Sequence, residues 1–149
     1  MKTDLDEFVR ESNHIEGILR EPTGDEIAAH AAFICLEQPM VEHVAQFVSV
    51  VAPGHRLRDK PSLNVRVGDH IAPRGGPNIR TELNFLLSKL SISDPWQTHV
   101  SYETLHPFTD GNGRSGRVLW LWQMRGAPLG FLHQFYYQTL SGVRQNGHA

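Results

Sequence analysis

The chain has 149 residues, 40% of them hydrophobic and 20% charged, with a formal net charge of -2. This usage is that of one globular domain with a core of its own, and it excludes a largely disordered or fibrous chain. The small negative charge also argues against bulk attraction to nucleic acid.

The N-terminal residues Met1-Lys2-Thr3-Asp4-Leu5-Asp6-Glu7 are acidic and have no apolar segment, so no secretory leader is expected. Thr3 and Asp6 have capping-box spacing, and Leu5, Phe8, Val9 and Ile15 recur at helical intervals. They predict a first helix over residues 4–15, extending towards 19, with Gly17 weakening its end. Pro22-Thr23-Gly24 breaks the chain. A second helix is expected over 25–37, before Pro39, and a third over 41–52, before Pro53-Gly54. The single cysteine, Cys35, excludes an internal disulfide. It stands in the apolar run 31–36 and reads as a buried thiol in a reducing, cytoplasmic compartment.

Residues 53–80 differ in kind, holding four of the nine prolines and four of the thirteen glycines. Leu63, Val65 and Val67 alternate there with polar neighbours, which predicts a short β-hairpin or ordered loop. Helical signals resume over 80–90. Asp94-Pro95 is an N-cap followed by proline at the first helical position, predicting a helix to residue 105. A loop over 106–113 precedes a helix over 114–124, and a last helix is expected over 131–140. Residues 142–149 read as a frayed tail. The longest apolar stretches, 44–52 and 118–122, fall far short of the roughly 18 to 20 residues a membrane span needs. The class is therefore all-α with one small β element, in a single domain over 1–149.

Charge is unevenly spread. Residues 1–26 hold eight acids and three bases, whereas after Asp110 there are four arginines and no acid. An acidic head and a basic tail invite contact with each other, or an anionic ligand at the tail.

The chemistry concentrates in His106-Pro107-Phe108-Thr109-Asp110-Gly111-Asn112-Gly113-Arg114-Ser115-Gly116-Arg117. Two glycines ahead of a helix can turn successive N–H groups one way, making an anion nest at a positive helix end. Arg114 and Arg117, three apart, can share a helical face and suit neighbouring phosphates. Asp110 would repel a phosphate there unless a cation such as Mg²⁺ lay between them. His106 can take a proton from an attacking hydroxyl. Phe108 is expected to anchor the loop in the core. The segment 111–116 also fits G-x-G-x-x-G, but no strand precedes it and no acid follows, which excludes a dinucleotide fold. Nine histidines without an i,i+4 pair or a cysteine cluster do not make a zinc site.

This twelve-residue run resembles the signature His-Pro-Phe-x-Asp-Gly-Asn-Gly-Arg-x-x-Arg of the Fic-domain family, whose enzymes typically move AMP from ATP onto a hydroxyl of a target protein. The resemblance implies a compact Fic-like helical core with a β-hairpin flap, over about 57–79, ahead of an active-site helix-loop-helix over about 94–124. It implies His106 as the base and Asp110 as the Mg²⁺ ligand. Asn112 would hold the α-phosphate oxygens, with the backbone of Gly111 and Gly113 completing the anion hole. Arg114 would hold the β-phosphate and Arg117 the γ-phosphate. The segment Val65-Arg66-Val67-Gly68 matches the flap, which docks the target segment by strand-like pairing.

Ser12-Asn13-His14-Ile15-Glu16-Gly17 resembles the family's inhibitory motif, Ser/Thr-x-x-x-Glu-Gly/Asn, on an N-terminal inhibitory helix over about 4–19. The resemblance implies that Glu16 pairs with Arg117 and takes the place of the γ-phosphate. Expected partners are ATP and a target protein, with neither nucleic acid nor membrane, and a homo-oligomer is left open. Three alternatives stand beside AMP transfer. One is hydrolysis of an AMP–protein bond with Glu16 positioning water, one is transfer of UMP or a phosphoryl group, and one is a non-catalytic nucleotide sensor.

Overall fold

The structure, a computed structural model, describes residues 4–125. The helix expected over 131–140, the tail over 142–149 and Thr3 lie outside the described residues. Within them the order is α1 (Asp4–Ile15), α2 (Gly24–Ile34), α3 (Val41–Val51), β1 (Arg66–Val67), β2 (His70–Ile71), α4 (Pro77–Ser88), α5 (Pro95–Leu105) and α6 (Asn112–Gln123). The all-α class with a small hairpin ahead of the 106–113 loop is what the sequence predicts.

Helix α6 is the axis of the fold. From Asn112 to Trp122 every residue but Gly113 is buried, as befits a helix enclosed on all sides. It packs against α5, α2, α3 and α1. Its residues Val118, Leu119 and Trp122 join Val44, Phe47, Val48, Leu83, Leu87, Tyr102 and Phe108 in the main core. On its other side Trp120 and Leu121 meet Phe8 of α1 in a second cluster. Phe8 is 0% exposed and stacks on Trp120, with ring centroids 6.4 Å apart and planes 9° from parallel. Burying such a ring contributes about 1.5–3 kcal/mol, so α1 is packed onto the domain rather than loosely tethered.

Local signals set the boundaries. Gly17, at φ +79°, ends α1 in a Schellman motif. Ile18 N donates to Asn13 O at 3.0 Å and Gly17 N to His14 O at 2.9 Å. The helix therefore stops at Ile15 and does not reach residue 19. Helix α2 opens with a reciprocal capping box between Thr23 and Glu26, a signal legible in the sequence two residues ahead of the predicted start. It closes at Ile34, three residues earlier than expected. Cys35 is the C-cap residue and is exposed, which corrects the expectation of a buried thiol. The chain turns inward only at Leu36, whose carbonyl accepts from Trp122 Nε1 at 2.8 Å, and Cys35 is left facing out. Helix α4 starts at Pro77, where proline costs no hydrogen bond, three residues before the predicted start. The Asp94 cap of α5 accepts from Gln97 N at 2.9 Å, as the sequence predicts.

The hairpin is shorter than the alternation of Leu63, Val65 and Val67 suggests. Arg66 pairs with Ile71 and Val67 with His70, while Leu63 closes a turn with Lys60. His70 Nε2 bonds Thr104 O at 2.9 Å, which ties β2 to α5.

Candidate active site

The site is built where α5 ends and α6 begins. His106 caps α5 in the left-handed region, at φ +51°. It is the only described non-glycine residue with positive φ, and such a backbone persists only where its surroundings hold it. Its Nδ1 lies 3.3 Å from Glu103 O. A carbonyl can only accept, so Nδ1 carries the proton and Nε2 keeps its lone pair. Burial holds the imidazole below its ordinary pKa, the Glu103 carbonyl opposing and the Arg58 charge assisting. A neutral ring at neutral pH is the base-competent form.

The loop between the two helices is closed by Asn112. Its Oδ1 accepts from Phe108 N at 2.9 Å and its Nδ2 donates to Phe108 O at 2.8 Å. The side chain is 3% exposed and shapes the loop around Phe108, which is buried as expected. Leu57 and Phe108 form a β-bridge, and Thr109 N donates to Arg56 O at 2.9 Å, so the segment before the flap braces the loop from outside. Gly111, in the left-handed conformation, is the N-cap of α6. Ser115 Oγ donates to Gly111 O at 2.7 Å and lies 2.6 Å from the buried Tyr102 hydroxyl, which fixes the first turn of α6 against α5.

Both arginines are buried rather than lying on a solvated face. Arg114 is 6% and Arg117 1% exposed. Arg114 Nη1 donates to Val51 O at 2.5 Å, and its Nε is buried without a hydrogen-bond partner. Arg117 faces the last turn of α1. Its Nε donates to Ser12 Oγ at 2.8 Å, and Nη2 to Ser12 O at 2.9 Å and to Glu16 Oε1 at 2.7 Å. A Cβ added to Gly113 would lie 2.1 Å from Glu16 Oε1. The carboxylate thus lies directly against the backbone at the N-terminus of α6, the position an anion favours. The residue at 113 must be glycine for it to come so close. Three other acids of the head are paired with its own bases: Glu7 and Glu21 with Arg10, and Glu26 with Arg20. Burial pushes Glu103 up to about 7, with Arg117 opposing and Glu16 adding to the rise.

Asp110 points outward, its side chain 62% exposed. Oδ1 accepts from Gly111 N at 2.8 Å, and Oδ2 lies 3.7 Å from His55 Nε2. Among the described residues no group of three or more His, Cys, Asp or Glu side chains could enclose a metal. One outward carboxylate, with hard oxygen donors, fits Mg²⁺ that completes its shell with substrate phosphates and water.

The structure therefore brings together His106, Asp110, Gly111, Asn112, Gly113, Arg114, Arg117, Ser12 and Glu16, while Gly17 enters only as the exposed residue that ends α1. The flap residues Val65, Arg66, Val67 and Gly68 stand on the hairpin tied to α5. Two residues that the sequence reading passed over also belong here. His55 Nδ1 lies 2.9 Å from Thr109 Oγ1 while its Nε2 faces Asp110. Arg58 Nε donates to His106 O at 2.6 Å. Neither stands in a spaced pattern, so no sequence signal marked them.

The Fic/DOC family model matches residues 31–124. The match takes in the flap, the loop and both arginines and leaves α1 outside. A comparison with curated proteins found no match. No helix among the described residues is long and apolar enough to cross a membrane.

Proposed function

The chain belongs to the Fic/DOC family, and from that premise we propose that it transfers AMP from ATP to a Tyr, Ser or Thr hydroxyl of a target protein, with α1 holding the enzyme inhibited. The observation that carries this reading is the Glu16 carboxylate, 2.7 Å from Arg117 Nη2 and against Gly113. A carboxylate bound where an anion would sit is a competitor for that anion.

In the proposed reaction His106 Nε2 takes the proton of the target hydroxyl. The hydroxyl oxygen attacks the α-phosphorus, the bond to the bridging oxygen of the β-phosphate breaks, and pyrophosphate leaves. The N–H groups at the start of α6 face the charge that develops on the α-phosphate oxygens. Arg114 and Arg117 hold the β- and γ-phosphates by paired, charge-assisted hydrogen bonds. Asp110 would hold Mg²⁺, which would offset the charge of the phosphates. The flap presents the target main chain along the hairpin edge, so that the hydroxyl arrives at His106. Catalysis of this kind is mostly positioning and charge stabilisation. While Glu16 remains on Arg117, the γ-phosphate has no seat.

The test is intact-mass analysis of wild type and Glu16→Gly after incubation with Mg²⁺ and ATP. An AMP adduct on the variant and none on wild type is expected. Should neither form an adduct, even with a lysate as a source of targets, while wild type removes AMP already installed on a protein, the chain is a hydrolase. ATP binding without turnover in either variant would leave the sensor reading.

A further inference from the structure

Arg58 has no part in the chemistry above, yet it is among the largest wholly buried side chains of the domain, at 0% exposure. Among the described residues no carboxylate lies within ion-pair distance of it. An unpaired buried charge is costly, so its surroundings must supply the compensation. They do so with four backbone carbonyls. Nε donates to His106 O at 2.6 Å and Nη2 to Leu105 O at 2.9 Å. Nη1 donates to Leu63 O at 3.1 Å and to Pro73 O at 2.7 Å. Leu105 and His106 end α5, where the helix dipole is negative and carbonyls lack intrahelical donors. Leu63 and Pro73 are the two feet of the flap, one before β1 and one after β2. The main chain of residue 58 repeats the connection: Arg58 N donates to Pro107 O at 2.8 Å and Gly76 N to Arg58 O at 2.9 Å.

We propose that Arg58 is a positioning residue that sets the distance and angle between the flap, where the target segment docks, and His106, which takes the proton. One planar fork touches both feet of the flap and the backbone of the base. A displacement of either part is therefore transmitted to the other. The same bond to His106 O helps hold the left-handed backbone on which the imidazole depends. A long apolar side chain could fill this space, but only a guanidinium reaches four carbonyls in one plane, and lysine cannot replace it in that respect. Transfer needs hydroxyl and base within hydrogen-bond distance, so a misplacement of about 1 Å lowers the rate by about 100-fold.

The activity arm of the test rests on the AMP-transfer reading; the exchange arm does not. In the Glu16→Gly background, Arg58→Gln and Arg58→Lys are compared by the rate constant of adduct formation and by the ATP concentration that half-saturates it. In the wild-type background the same substitutions are followed by hydrogen–deuterium exchange. The rate constant should fall at least about tenfold with half-saturation within about twofold. Exchange should quicken together at Ala72, whose N–H bonds Val65 O, and across residues 105–109, while α2 and α3 stay protected. Arg58→Lys keeps the charge at the helix end and tests the fork if the glutamine variant does not fold. The proposal is overturned if a folded Arg58→Lys protein transfers at the parental rate. It is equally overturned if exchange rises at only one of the two segments or over the whole domain. If Glu16→Gly forms no adduct, the transfer reading fails and the exchange result still decides the coupling.

Discussion

Glu16 and Arg117 are unequal partners. Arg117 is 1% exposed and keeps two bonds to Ser12 when Glu16 is removed. The Glu16 side chain is 37% exposed and has its contact with Arg117 at the rim. Deleting it leaves the buried guanidinium with only the neutral oxygens of Ser12, so Glu16→Gly should cost about 1.5–3 kcal/mol in urea unfolding while raising adduct formation at least tenfold. Stability and activity moving in opposite directions is the mark of a residue retained for control. In the Glu16→Gly background, His106→Ala should abolish transfer and leave the MgATP affinity within about twofold by calorimetry; a large loss of affinity would assign His106 to binding. At this scale the sequence was informative wherever side chains meet side chains. Ser12, Glu16 and Arg117 were legible through the resemblance to the family's two motifs; spacing and charge alone offered only an acidic head and a basic tail. Arg58 was not, because its partners are carbonyls, which every residue carries. Asn112 was legible as a site residue, but its bonds to Phe108 appear only once the loop is closed.

At the scale of elements, the end of α1 is held by α2 as well as by α6. Glu26 is 3% exposed, accepts both Arg20 Nη atoms at 2.9 and 3.1 Å and Thr23 N at 2.8 Å, and lies 3.4 Å from Asn13 Nδ2. Burial favours the neutral acid, but the bonds to Arg20 and Thr23 prevail and hold the carboxyl at about 2. Its contribution is present above the ordinary carboxylate pKa and is lost as pH falls towards 2. Glu26→Gln should lower stability by about 1.5–3 kcal/mol and partly relieve inhibition, giving an adduct rate between wild type and Glu16→Gly. Among the described residues, helix order and type were legible from periodicity and from proline, and α1 and α3 were placed to within a residue or two. The boundaries of α2 and α4 were missed for reasons of local chemistry. Thr23-x-x-Glu26 and Pro77 are start signals that apolar periodicity does not register, and the end of α2 is set by an indole N–H eighty-six residues away.

Across the whole molecule, two buried imidazoles link folding to pH. Burial lowers His30 to about 4 and His99 to about 3, with the Arg117 charge adding to both. Their folded values lie below the ordinary histidine value, so the unfolded chain binds more protons. The stability they confer is complete above pH of about 6.5 and falls as pH drops towards 4. Each should contribute up to about 1.4 kcal/mol per pH unit across that window. Urea midpoints between pH 7 and 4 check this, and His30→Gln should remove one of the two contributions. The enclosed α6 that creates this burial was only partly legible. Its apolar residues mark a core helix, and Arg114 and Arg117 read as a shared phosphate-facing pair, but their burial follows only from the other helices closing around them. The packing of α1 has a further consequence. One end of the helix is anchored by Phe8 against Trp120, and the other by the contacts of Ser12 and Glu16 with one guanidinium. Release at the second end leaves the first engaged, like a pawl lifting on its pivot. Under the proposed inhibition by α1, opening the nucleotide seat would need only the last turn of the helix to unwind. The radius of gyration of Glu16→Gly should match that of wild type in solution scattering, and the active and inactive forms should be indistinguishable in overall shape.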